Sequence, residues 1–525
     1  MLLARQSKLV TIQVTCLCVA TITLLGGFIH FQSVPSWFKA QTSLDRPEEI
    51  LELPPAQPEI IEPNIDGITT DLDRITETPD IPNETNDASG IEAGEGQQEE
   101  QLENEEDSMH SFPKTHQYVQ AILDPTNSDI VKLQCPDLDT ARYGYLQAQA
   151  AADRPSSEEL KYFFALDLTH VVDLLPRLVG SIVDAIRFLG PSVCALSIVE
   201  GHSQGDGTRD VLVALEPKLK ELGIRYYLNT NEIDSRAGNR INKLADLRNM
   251  ALAPMLLQDA PLELAAMPAE TLPPATGDTT IIFLNDVAAC PADILELVHQ
   301  RIFQKAHMTC GMDWTSSENH DPCFYDAWVA RSLKGDTFFE VPPSGDWSHS
   351  WDLFWNDVEA RERMVKKLPF QVFACWNGGV AFGAGPFLGL SPPTYTEPES
   401  VPASNETLPE LNKSGDGLIE KIAFRSRTLG ECQMGEPTLL AKDLWFSGYG
   451  RIAVVPTVNF EYSDEAGKLL KEVKGFAAQL GAQENLEDAA IEWQDEPPER
   501  IKCMPTWARQ TWVPWNQSLP LPPKG

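Results

Sequence analysis

The chain has 525 residues, 42% hydrophobic and 22% charged, a globular balance that excludes a wholly disordered chain and a polytopic membrane protein. Its 41 Lys and Arg stand against 77 Asp and Glu. The net charge of −36 excludes electrostatic binding to nucleic acid or to an anionic membrane surface, since both need a basic footprint.

From Leu9 to Phe38 there is no Asp, Glu, Lys or Arg, and residues 9–31 are long enough to span a bilayer core of about 30 Å as a helix. Arg5 and Lys8 precede this run, so the positive-inside tendency predicts a cytoplasmic tail (1–8), a type II anchor (9–31) and a lumenal remainder. The apolar stretch exceeds the usual core of a cleaved signal peptide. A stem follows (32–110). Between Asp45 and Asp107 it holds 21 acidic residues against Arg46 and Arg74, and its Pro, Glu, Asn and Gln cannot offset ordering entropy, which predicts a disordered spacer.

The lumenal domain is predicted over 111–495, with a Pro- and Trp-rich tail over 496–525 that has too many prolines for regular structure. Four glycosylation acceptor triplets begin at Asn83, Asn405, Asn412 and Asn516, all beyond the anchor. Eight of ten cysteines also follow it, widely spaced and without a CxxC pair, a pattern of disulfides or buried thiols rather than zinc. Cys375 and Cys432 read as disulfide partners; the pairing stays open.

Periodicity then alternates between strand and helix. Strands are predicted over Tyr162–Leu168, Ser192–Val199, Ile224–Leu228 and Thr279–Leu284, and helices over Val171–Leu189, Asp210–Leu222, Arg240–Leu257 and Pro291–Lys305. The apolar run at 279–284 suits a strand buried on both faces. An α/β fold with a Rossmann-like, mostly parallel sheet flanked by helices follows, with surface insertions near 259–278 and 390–413.

Ligands of such sheets bind beyond the carboxyl ends of strands. Glu200, followed by Ser203, Asp206 and Thr208, ends one strand, and Asn285-Asp286 ends another. A carboxylate at Asp286 is placed to hold a divalent metal and so neutralise a diphosphate. Asp206 fits a helix cap as well as a ligand, and Glu200 fits an acceptor for loop amides. His202 reads as a loop hydrogen-bonder.

The run Ser197-Ile-Val-Glu200 with Ser203, Asp206, Gly207 and Thr208 resembles a turn of nucleotide-sugar-dependent glycosyltransferases of GT-A type. More specific pieces follow in order: Leu247-Arg248-Asn249, Phe283-Leu-Asn-Asp-Val287, Asp313, Phe324-Tyr-Asp-Ala-Trp-Val-Ala-Arg331, Cys375-Trp-Asn-Gly378, Phe424-Arg425, Glu431-Cys432, Lys442-Asp-Leu-Trp445 and Tyr462. Over Tyr162–Tyr462 the chain thus resembles the fungal capsule-associated α-1,3-mannosyltransferases, glycosyltransferase family 69. That resemblance implies a Golgi enzyme moving mannose from GDP-mannose to a mannose-containing glycan or wall polysaccharide, with Mn²⁺ or Mg²⁺ and retention of configuration. It is also consistent with a place in a Golgi glycosyltransferase complex. Transfer of another sugar, or a non-catalytic scaffold that keeps the fold, are the alternatives.

On this reading Asp286 holds the metal, with Asp443 as a later ligand or a salt-bridge partner. Asn285, Glu200, Asp206 and Arg248 face the donor, Arg being able to bind phosphate bidentately. Asp313 is the first candidate for a carboxylate near the reacting carbon, with Asp326 and Arg331 beside it. Tyr325, Trp328, Trp376, Asn377 and Glu431 shape the acceptor site, although Trp328 and Trp376 equally suit core packing. Asn377-Gly378-Gly379 reads as a tight turn.

Overall fold

A computed structural model describes residues 112–148 and 159–519, except 204, 237, 257–271, 317–320, 394–414 and 482–485. The predicted anchor and stem, with Asn83, Asn405 and Asn412, lie outside the described residues. No helix among the described residues is long and apolar enough to cross a membrane.

The strands of the main sheet are β1 (Leu160–Leu168), β2 (Cys194–Gly201), β3 (Arg225–Asn231), β4 (Ala275–Leu284), β5 (Met308–Ser316), β6 (Pro322–Phe324), β7 (Phe370–Gln371), β8 (Gly379–Gly383) and β9 (Ile452–Phe460). Helices that bear on the site are α1 (Leu175–Leu189), α2 (Thr208–Glu221), α3 (Arg240–Leu256), α4 (Pro291–Phe303), α5 (Glu436–Phe446) and α6 (Asp464–Lys474). Every strand and helix predicted between 162 and 305 is present, its ends shifted by a few residues.

The sheet runs β3-β2-β1-β4-β8-β5-β9-β7, with β6 on the end of β5. β1 to β4 pair in parallel, as do β5 and β9, whereas β8 runs antiparallel between β4 and β5 and β7 antiparallel on β9. The expectation of a mostly parallel sheet is met, with β8 as its central reversal. Alternate side chains feed two cores. Phe163, Ala165, Ile281 and Phe283 join α3 and α5 on one face. Phe164, Leu166, Ile282 and Leu284 join α1, α2 and α4 on the other. Each such Phe, Leu or Ile side chain, fully buried, contributes about 1.5–3 kcal/mol.

Three disulfides brace the frame: Cys135–Cys290, Cys310–Cys375 and Cys432–Cys503. Cys375 and Cys432 are bridged, but to Cys310 and Cys503; Cys194 and Cys323 are free. The tail departs from expectation. It forms an antiparallel hairpin, β10 (Arg500–Thr506) and β11 (Arg509–Pro514), in a two-stranded sheet of its own. Two-stranded edges tolerate proline: Pro505 falls where the register shifts, and Pro514 closes the last strand. Trp507 stacks edge-on to Trp347, so the tail packs on the body as its tryptophans suggest.

Candidate active site

The strand ends bring charge together around Arg248. This side chain projects from the third turn of α3, is 6% exposed, and lies 4.3 Å from the centroid of Trp376. Its Nε is 3.3 Å from Glu436 at the start of α5 and 3.9 Å from Asp167 near the end of β1. Burial pushes the Asp167 carboxyl up to about 6, against the opposing pull of Arg248. Neither Nε nor Nη1 of Arg248 has a hydrogen-bond partner.

A second group gathers where β5 ends. Asp313 is fully buried, its Oδ2 accepting the Tyr462 hydroxyl at 2.7 Å and its Oδ1 the Asp326 amide at 3.4 Å. Burial first, then the neighbouring Asp326 charge, pushes its carboxyl far above the usual range. Asp326, in the turn after β6, is raised chiefly by burial too. The Tyr325 amide donates to the Asp313 carbonyl at 3.1 Å, and its ring lies 5.0 Å from that of Tyr462, with 47% of Tyr325 exposed. Tyr325 is therefore the solvent-facing member of this group.

Asp286 follows β4 and is raised by burial, with Arg240, Arg236 and Arg248 pulling the other way. Among the described residues no other side chain hydrogen-bonds to it. Asn285 has a different job: its amide oxygen accepts the Trp376 indole N–H at 2.9 Å and its backbone N–H donates to Gly378. The predicted tight turn is present, Asn377 and Gly378 both having positive φ. A Cβ on Gly379 would lie 2.8 Å from Leu284, which explains glycine there. The Asn377 side chain is buried and donates to the Gly311 carbonyl, so it holds the turn to β5. A cavity of about 580 Å³ is lined by Asn239, Arg240, Asn242, Trp328, Arg427 and Gln433 among others, and shares Arg240 with the electrostatic surroundings of Asp286.

Other expected site residues have partners elsewhere. Glu200 is fully buried, accepting the Ser203 amide and Arg209 Nε, each at 2.7 Å. Asp206 accepts the Thr208 amide and hydroxyl in the turn before α2, whose N-cap is Gly207 without a side-chain cap. The Arg331 guanidinium is fully buried and donates to the carbonyls of Lys502, Ala327, Trp328 and Ala330, tying the turn after β6 to the C-terminal hairpin. That departs from a catalytic role. Both Asp443 oxygens accept from Arg425, which also grips Glu431, and Lys442 pairs with Glu431 as well. Position 443 thus has the salt-bridge partner anticipated as its alternative, and Glu431 anchors a loop. Trp328 both lines the cavity and donates to the Met504 carbonyl. Trp376 is core-packed at 1% exposure. Asn516 is half-buried in the turn after β11, and His202 contacts Glu232 across its loop.

Sequence reasoning missed Asp167, Arg240 and Glu436. A lone Asp inside the apolar run of β1 was the available signal for the first.

A family model described as Cryptococcal mannosyltransferase 1 matches residues 161–443. The chain is 31% identical over 421 residues to Alpha-1,3-mannosyltransferase CMT1 of Cryptococcus neoformans, covering 74% of this chain and 79% of that protein. No solved structure matches.

Proposed function

We propose, from the premise that the chain belongs to the cryptococcal mannosyltransferase 1 family and is a glycosyltransferase, that it moves mannose from GDP-mannose to a mannose-containing glycan as a retaining α-1,3-mannosyltransferase of GT-A type. The observation that carries this reading is Asp286: a strand-end carboxylate without a side-chain partner among the described residues, in the field of Arg236 and Arg240 and close to the Asp313 group. The switch between β1 and β4 is where an open α/β sheet receives a nucleotide.

A divalent cation at this site would have Asp286 as its protein ligand. No three His, Cys, Asp or Glu among the described residues are grouped to hold one, so the remaining ligands would have to be diphosphate oxygens and water. Asp286 would hold it, and when bound it would neutralise the departing diphosphate. Arg236 would steady the phosphates. A carboxylate nucleophile must be ionised, and burial drives Asp313 the other way, which favours front-face attack with the leaving phosphate receiving the acceptor proton. The apolar run at 9–31 supports a Golgi, type II placement, and three disulfides fit an oxidising lumen.

The test is transfer from a panel of radiolabelled nucleotide sugars to α-mannosides, with and without Mn²⁺. Metal-stimulated transfer from GDP-mannose is expected. Transfer from another nucleotide sugar instead would overturn the donor, and metal-independent transfer would overturn the role of Asp286.

A further inference from the structure

We infer that the acceptor is an anionic saccharide, its carboxylate or phosphate received in the 580 Å³ cavity by Arg427 together with Arg240. This rests on the transferase reading above and names the substrate class of its acceptor side.

One wall of the cavity is the start of α3 with Asn239, Arg240 and Asn242; another comes from residues 426–434 with Arg427 and Gln433; Trp328 lies between them in sequence. In a chain with 77 acidic residues against 41 basic, no described residue lining this space is Asp or Glu. Among the described residues neither arginine takes part in an ion pair. The contrast with Arg425 is instructive, because that residue, two positions away, is gripped by both Glu431 and Asp443. Those pairs and the Cys432–Cys503 bridge fix the segment from which Arg427 projects. The cavity thus presents two like charges with no carboxylate among its described lining residues, and the nearest acid acting on Arg240, Asp286, lies outside that lining, an arrangement that an anionic ligand relieves.

The rest of the lining suits a sugar. Asn239, Asn242 and Gln433 offer amide donors and acceptors to hydroxyls, and the Trp328 ring offers a face for stacking. A guanidinium meets a carboxylate or phosphate bidentately. The donor diphosphate is a weaker candidate for this space, since Asp286 is not among the residues that line it.

The experiment uses the full-length protein in detergent and calorimetric titration with four probes: a neutral α-mannobioside, the same disaccharide with a terminal mannuronic acid, its 6-phosphate, and inorganic phosphate. At least ten-fold tighter binding of an anionic disaccharide than of the neutral one is expected, and the uronate and phosphate arms decide which anion. Arg427→Gln, an exposed position, is expected to abolish that preference while leaving affinity for the neutral disaccharide and for GDP unchanged. Equal affinities in the wild type would overturn the inference, as would a preference that survives both Arg427→Gln and Arg240→Gln. Inorganic phosphate binding as tightly as the sugar phosphate would reduce the cavity to a plain anion site, and loss of GDP affinity in Arg427→Gln would reassign the arginine to the donor; either result refutes it. The preference without any transfer from GDP-mannose would remove the donor reading and leave this one standing.

Discussion

Asp313→Asn separates the cost of burying a carboxyl from its chemistry. In the folded protein burial and Asp326 hold the Asp313 carboxyl protonated well above its unfolded value. For a group raised in this way the stabilising contribution is complete below the unfolded pKa, near 4, and drains away as pH climbs towards the folded value. One proton gives a slope of about 1.4 kcal/mol per pH unit, so from pH 5 to pH 7 the wild type loses up to about 2.7 kcal/mol from this site alone. Asparagine has no proton to lose, keeps nearly the same volume, and still offers an oxygen to the Tyr462 hydroxyl. For a domain of a few hundred residues about 1–2 °C accompanies each kcal/mol, so the variant should gain about 3–5 °C on the wild type over that interval. The assay is thermal unfolding at pH 5, 6, 7 and 8 at one scan rate, with turnover measured alongside. Parallel pH curves for the two proteins would show that Asp313 is ionised when folded and would refute the reasoning.

Asp286→Asn keeps volume and loses the anion, so metal-stimulated transfer should fall at least 100-fold while the melting temperature holds or rises; full activity would remove the metal assignment. Arg248→Met leaves Asp167 and Glu436 as uncompensated buried acids, a loss of about 3–5 kcal/mol. That loss should be smaller at pH 5 than at pH 8, because Asp167, already raised to about 6, can then take a proton; chemical denaturation at both pH values checks it. Tyr462→Phe removes the hydroxyl that favours the ionised form of Asp313, so it should cost about 1–2 kcal/mol, more at pH 8 than at pH 5, by the same measurement.

The legible part of the fold ends near residue 305 for physical reasons. Up to there, strands such as β2 and the end of β4 are buried on both faces and read as apolar runs. Beyond it the patterns break. β5 carries Thr309 and Asp313 into the interior, where the Thr309 hydroxyl is satisfied by the Leu297 carbonyl rather than by water. β9 lies between β5 and β7 yet contains Pro456, which ordinarily argues against a central strand; its register against β5 shifts between Val454 and Asn459, so the missing N–H interrupts no ladder pair. β8 is five residues with a glycine at each end, too short for periodicity to signal, and it supplies the reversal inside the sheet.

The site was legible where chemistry follows a strand end and obscure where one residue acts through another. Asn285-Asp286 read naturally as two ligands, but the geometry divides them. The Asn285 side chain holds the Trp376 indole, the opposite character of that ring supports the Arg248 guanidinium, and Arg248 in turn faces Asp167 and Glu436. Asn285 is therefore a latch joining the end of β4 to the turn before β8, while Asp286 has no side-chain hydrogen bond among the described residues. Nε is ion-paired to Glu436 without hydrogen-bond geometry, and a buried donor such as Nη1 left without a hydrogen bond costs about 1–3 kcal/mol. A core that served stability alone would have replaced this cluster with apolar side chains, which commonly stabilise as well or better than buried ion pairs. On the proposed donor reading, Trp376→Phe, which removes the indole N–H but keeps an aromatic face, should loosen Asn285 and weaken GDP-mannose binding while Arg248 keeps its aromatic support.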